Sequence, residues 1–129
     1  MATGFPASTG DIFTAADYNG LITFTIGADK TANYTFVLAD QYQELIIVNS
    51  ATAKDVLIPT NASVAFPVGT AITVYNEGVG LVSLKAVTSG TTTVQSRGAA
   101  PTIPTLASFG SAVCIKIATD IWAVAGGIA

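Results

Sequence analysis

Eight carboxylates, five basic side chains, four tyrosines and one cysteine are the titratable side chains of this 129-residue sequence, which has no histidine. Without histidine the commonest general base and metal ligand is missing. The carboxylates are Asp11, Asp17, Asp29, Asp40, Glu44, Asp55, Glu77 and Asp120. Most fall at turns or strand edges, where Asp makes ordinary turn hydrogen bonds. Asp40 and Glu44 are close enough in sequence to mimic the paired acids of a general acid–base site. They sit around "ADQYQ", between two strand-like runs, so a solvated turn is the expected setting. Cys114 has no second cysteine to pair with, and in its apolar run it reads as a small core or interface residue rather than a nucleophile. No glycine-rich loop opens a helix after a strand, so no phosphate cradle is present. The sequons at Asn33-Tyr34-Thr35 and Asn61-Ala62-Ser63 would matter only in a secreted protein. The expectation is no catalytic residue, no cofactor and no metal. Tyr34, Tyr42 and Tyr75 could form an aromatic platform for carbohydrate. Alternatively they stand at strand ends or interfaces, with the ring on apolar surface and the hydroxyl wet.

Half of the residues are hydrophobic and only 10% are charged, with a formal net charge of −3. A soluble domain is typically about 25% charged. A membrane span does not explain the shortfall. The uncharged stretch from Val56 to Asn76 is interrupted by Pro59, Asn61, Ser63, Pro67 and Gly69, whereas a spanning helix needs roughly 20 mostly apolar residues. No positive segment precedes Lys30 and the first ten residues hold no apolar run. A secretory leader is therefore not expected, and the protein is expected to be made in the cytoplasm. Lys30, Lys54, Lys85, Arg97 and Lys116 are scattered, which disfavours nucleic acid as a partner, since phosphate binding needs clustered cations. Two explanations remain: an aggregating chain, or a subunit whose surface is largely covered in an assembly.

The elements that would position these residues are almost all strands. Residues 1–20 read as an N-terminal arm with a short helical turn: Thr14 as N-cap, Asp17 three positions on, and Phe13 and Tyr18 as a staple. "LITFTI", "YTFVL", "ELIIVN", "KDVLI", "AITVY" and "GLVSLKAV" then follow as β-branched runs. Pro59 and Pro67 bracket a loop, because proline cannot serve a central ladder. Residues 71–75 and 80–87 are expected to form a hairpin across "NEGVG". Residues 88–104 are the loosest part, with a short strand near Thr92–Val94. No repeat of fixed period stands out.

The last hairpin, "AVCIKIA" and "IWAVA" around "TD", suggests a register with Ile117 opposite Trp122 and Ile115 opposite Val124. Opposed residues share a face. Ile115, Ile117, Trp122 and Val124 are thus the expected core anchors, with Cys114 and Lys116 on the other face. Strand spacing of about 8–12 residues predicts an all-β fold. The expected form is a single antiparallel β-sandwich or jelly-roll-like domain over 21–129, preceded by the arm at 1–20.

Residues 34–127 resemble a β-rich module that recurs in structural proteins of tailed bacteriophages. The matching stretches are "YTFVLAD" (34–40), "NSATAKDVLIP" (49–59), "NASVAFPVGTAITVYNEGVGLVSL" (61–84) and "IKIATDIWAVAGG" (115–127). The block from Asn61 to Gly80 is the most specific. "GDIFTAADYN" (10–19) also resembles segments of phage head and tail proteins. The Ala/Pro stretch at 96–108 departs from the pattern. The resemblance implies a non-enzymatic virion protein. As the module makes up most of the sequence, it points to a capsid decoration, or cement, protein on the outer surface of the head. Alternatives are a tail fibre, neck or baseplate subunit, and a carbohydrate-binding β-sandwich module. The implied partners are further copies of the chain, as a homotrimer, and the major capsid protein, with no nucleic acid and no membrane. Phe5, Ile12, Phe13 and Tyr18 are the candidate anchors to the capsid or a neighbouring subunit.

Overall fold

In the computed structural model of the chain, the described residues are Ala15, 23–42 and 44–128. The expected arm at 1–20, including Phe5, Ile12, Phe13 and Tyr18, lies outside them except for Ala15. Ten strands lie among the described residues: β1 (Thr25–Ile26), β2 (Tyr34–Thr35), β3 (Glu44–Val48), β4 (Lys54–Ile58), β5 (Ala71–Asn76), β6 (Val82–Ala86), β7 (Thr93–Gln95), β8 (Thr105–Leu106), β9 (Ser111–Ala118) and β10 (Ile121–Gly126). One sheet has the order β1-β3-β5-β9-β10-β7 and the other β2-β4-β6-β8. Val37 is followed by a single 3-10 turn, Leu38–Gln41, so only the first two residues of the expected strand at 34–38 pair.

The all-β expectation holds, but the pairing is mixed rather than antiparallel. From β1 to β6 successive strands alternate between the sheets, and each pairs in parallel with the strand two places on. The chain therefore winds around the core in turns, with one strand per sheet in each turn. The expected hairpin of 71–75 with 80–87 does not form: β5 and β6 belong to different sheets. "NEGVG" is a corner between sheets. Strands β8, β9 and β10 then add antiparallel pairings, and β7 closes one edge parallel to β10.

The winding has a constant register in its later turns. Leu45 faces Thr73 in one sheet and Lys54 faces Val82 in the other, 28 positions apart in both cases. A structural repeat is thus present where no sequence repeat was expected. What recurs is the alternation of inward apolar residues, Ile46 with Val74 and Val56 with Leu84. Residue identities do not recur, because a turn of this kind needs only the right face buried. The core between the sheets is formed by these residues with Val48, Ile58, Ile72, Val82, Val94, Leu106 and Val124. Trp122 lies at its aromatic centre, edge-on to Phe66 at 5.6 Å and tilted against Phe36 at 6.1 Å between ring centroids.

The corners stack main chain on main chain. The amides of Glu77 and Gly78 donate to the Val48 carbonyl at 2.8 and 3.3 Å, and that of Gly80 to the Ser50 carbonyl at 2.9 Å. A Cβ on Gly78 would collide with the main chain of Ser50, and one on Gly80 with that of Thr52. These glycines are required by close approach. Gly80→Ala must push two backbones apart, and is expected to destabilise the protein by about 3 kcal/mol, the upper end of ordinary overpacking. Urea denaturation checks this against Gly90→Ala, where an added Cβ meets open space.

Candidate functional site

The last hairpin decides which groups reach the interior. Ile121 faces Ala118, in keeping with the expected register, but the pairing then slips and Trp122 faces Lys116. The slip is a β-bulge at Ile117. A shift of one residue exchanges the two faces of a strand. Beyond it, Val124 lies opposite Cys114, and both are buried with Trp122 and Lys116. Ile115 is turned to the outer face and half-buried, and Ile117 is 47% exposed. Of the four expected core anchors, Ile115 and Ile117 are therefore outside the core, and Cys114 and Lys116 take those places.

Lys116 is a buried cation with specific partners. Its Nζ donates to Asn61 Oδ1 at 2.5 Å and to the Phe66 carbonyl at 2.7 Å. Its own amide and carbonyl bond Thr70 and Gly69. The Pro59–Thr70 loop is thereby held to the end of β9. Asp120, at φ 56° in the tight turn, accepts from the Asn61 amide at 2.7 Å and the Thr92 hydroxyl at 3.2 Å. This cluster joins a loop, a turn and the start of β7, and each polar group named in it meets another part of the chain. Lys116→Met keeps most of the volume but leaves Asn61 Oδ1 and the Phe66 carbonyl without their donor. Hydrogen bonds to a charged group contribute about 1.5–3 kcal/mol each, so a loss of about 3 kcal/mol in denaturant unfolding is expected.

Asp40 is buried rather than sitting in the solvated turn expected of it. One of its oxygens accepts from the Tyr34 hydroxyl at 2.7 Å and the Val37 amide at 2.9 Å, which pins the start of the 3-10 turn. Burial, then the bond to Asp40 and the charges of Asp40 and Glu44, hold the Tyr34 hydroxyl well above the usual phenol range. The ammonium of Lys30 lies 4.5 Å from the Tyr34 ring centroid. Tyr34 pairs with Val56 and packs against the core, whereas Tyr75 stands on the outer face of the other sheet. The two do not share a platform.

Burial pushes the Cys114 thiol up to about 12. In the unfolded chain it ionises near the ordinary value of 9.0. The folded state then holds a proton that the unfolded state releases, so stability falls as pH rises above about 9, by about 1.4 kcal/mol per pH unit toward 12. The raised Tyr34 hydroxyl acts in the same direction. Unfolding at pH 8, 9 and 10 should show this decline. Cys114 should not react with a disulfide reagent at pH 8 until urea is added.

Among the described residues no group of His, Cys, Asp and Glu is placed to hold a metal ion, and no helix is long and apolar enough to cross a membrane. A groove of about 440 Å³ is lined by Leu57, Lys85, Val87, Val94, Pro101 and Ile103, among others. The ammonium of Lys85 is paired with Asp55 at 2.9 Å, so the groove presents no free charge.

The outer faces of the two sheets differ in kind. On the four-stranded sheet, Thr35, Asp55, Leu57, Ser83, Lys85 and Thr105 share the outer face, with the Asp55–Lys85 ion pair at its middle. On the six-stranded sheet the outward positions are Ile26, Leu45, Ile47, Ala71, Thr73 and Tyr75 on β1, β3 and β5. They continue as Ser111, Val113 and Ile115 on β9, Ile121, Ala123 and Ala125 on β10, and Thr93 and Gln95 on β7. None is charged. The bulge at Ile117 is what places Val113 and Ile115 there, and the simple alternation of the sequence did not reveal it. No family model, curated protein or solved structure matches the chain.

Proposed function

We propose that this protein is a non-enzymatic structural subunit of a tailed-phage virion, a decoration or cement protein on the outer surface of the head. The observation that carries the structural reading is the uncharged outer face of the six-stranded sheet, beside buried polar groups committed to holding loops. Charged side chains in the described part stand at corners and turns, on the opposite sheet, inside the fold or, for Glu44, at the start of β3 on the side away from that face. A protein built this way offers surface to a partner. The head location rests on the resemblance of 34–127 to phage structural modules. In this reading the chain binds further copies of itself and the major capsid protein, with residues 1–20 supplying contacts through Phe5, Ile12, Phe13 and Tyr18. A cement protein stabilises a shell by binding the assembled lattice in preference to its separated parts, which is mass-action linkage. Tail fibre, neck and baseplate subunits are the alternative within the same structural class.

Cryo-electron microscopy of the intact particle distinguishes these locations. Density for this fold at regular lattice positions over the head is the expected result. Density confined to the tail or to a single vertex would move the protein to the alternative. Purified protein added to undecorated heads should raise their disruption temperature, and no binding would count against the cement role.

A further inference from the structure

We infer that the outer face of the six-stranded sheet is the surface on which a second copy of this chain docks, face to face. This rests on the structural-subunit reading and names which surface makes the self-contact; a face docked on the same face of a second copy is a two-fold contact, so the unit it makes is a dimer in place of the homotrimer that the resemblance implies. The first observation is the internal contrast. Two sheets of one chain meet the same solvent, yet only one outer face carries charge. Leu45, Ile47, Tyr75, Val113 and Ile115 share this face across β3, β5 and β9, set around the uncharged Thr73, with Ile26 and Ile117 at the rims, 63% and 47% exposed.

The second observation concerns the edges. Sheets also associate through unpaired edge strands. The four edges here are β1, β2 and β8, with two residues each, and β7 with three. Edges this short offer little ladder to a neighbour, which leaves the face.

The third is the nature of the occupant. Complementary charge steers and selects specific hetero-partners, and this face carries none. Two copies related by a two-fold axis bring the same patch together, and neither has a charge to desolvate. Six strands at about 4.8 Å and five residues at about 3.3 Å give a footprint of about 29 by 17 Å. That is about 500 Å² per copy, or about 1,000 Å² for the pair, the threshold a specific interface must clear.

The test is performed in solution without particles, so its outcome is separate from that of head binding. Light scattering after size exclusion reports the mass of wild type, Ile115→Lys, Thr73→Glu and Ser83→Lys, with circular dichroism and Trp122 fluorescence as folding checks. The wild type is expected to be a dimer or larger. Ile115→Lys should reduce the mass to that of one chain, while Ser83→Lys, on the opposite sheet, should not. If Ile115→Lys fails to fold, Thr73→Glu on the same face decides. A wild-type monomer throughout the micromolar range overturns the inference and leaves residues 1–22 or a shell as the cover. An oligomer that survives a folded variant on this face, whether Ile115→Lys or Thr73→Glu, overturns it as well.

Discussion

Asn76 ties together the parts of this fold that adjacent strand pairing alone does not join. Its side-chain amide donates to the carbonyls of Gly80 and Leu106, both at 2.9 Å, and its Oδ1 accepts the Gly78 amide at 3.1 Å. Its main chain bonds Gly110 and Phe109. One fully buried residue thus links β5 in one sheet, the corner beyond it, β8 in the other sheet and the turn before β9. Buried polar groups are costly unless satisfied, and here the partners are main-chain groups that a corner would otherwise leave without ladder bonds. The parallel winding depends on such corners, because each crossing leaves one ladder before joining the other.

The corners impose a second constraint. Successive turns must approach until their backbones touch, which is why glycines stand at 78 and 80, directly over Ser50 and Thr52. Asn49 lies between Asp29 and Glu77, donating to them at 3.2 and 3.4 Å. Each turn therefore marks its corner with a polar residue that bonds its neighbour's. The aromatic centre of Phe36, Phe66 and Trp122 draws on β10 and on the segments after β2 and β4. The core closes only once the winding has brought these together.

Lys116 shows how a local irregularity changes what the protein presents. The bulge turns a lysine inward, where it finds Asn61 and the Phe66 carbonyl, and turns isoleucines outward. An isolated strand would bury Ile115 and Ile117 and leave the lysine in water. The exchange fixes the Pro59–Thr70 loop over the core and places Val113 and Ile115 on the uncharged outer face. Interior order and surface character follow from the same one-residue slip.

Strand positions were legible in the sequence. "ELIIVN", "KDVLI" and "AITVY" coincide with β3, β4 and β5, because β-branched alternation between turn residues is a local signal. The low charge was legible as well. Strand partners were not. "NEGVG" reads equally as a hairpin loop and as a corner, and only contact with residues 28 positions earlier decides between them. The burial of Asp40 and Lys116 was equally hidden, since each depends on partners such as Tyr34 or Asn61 that the fold brings to it. Alternation states that a strand has two faces. Which one is buried is settled by tertiary packing, because a bulge at Ile117 reverses the faces without altering any residue.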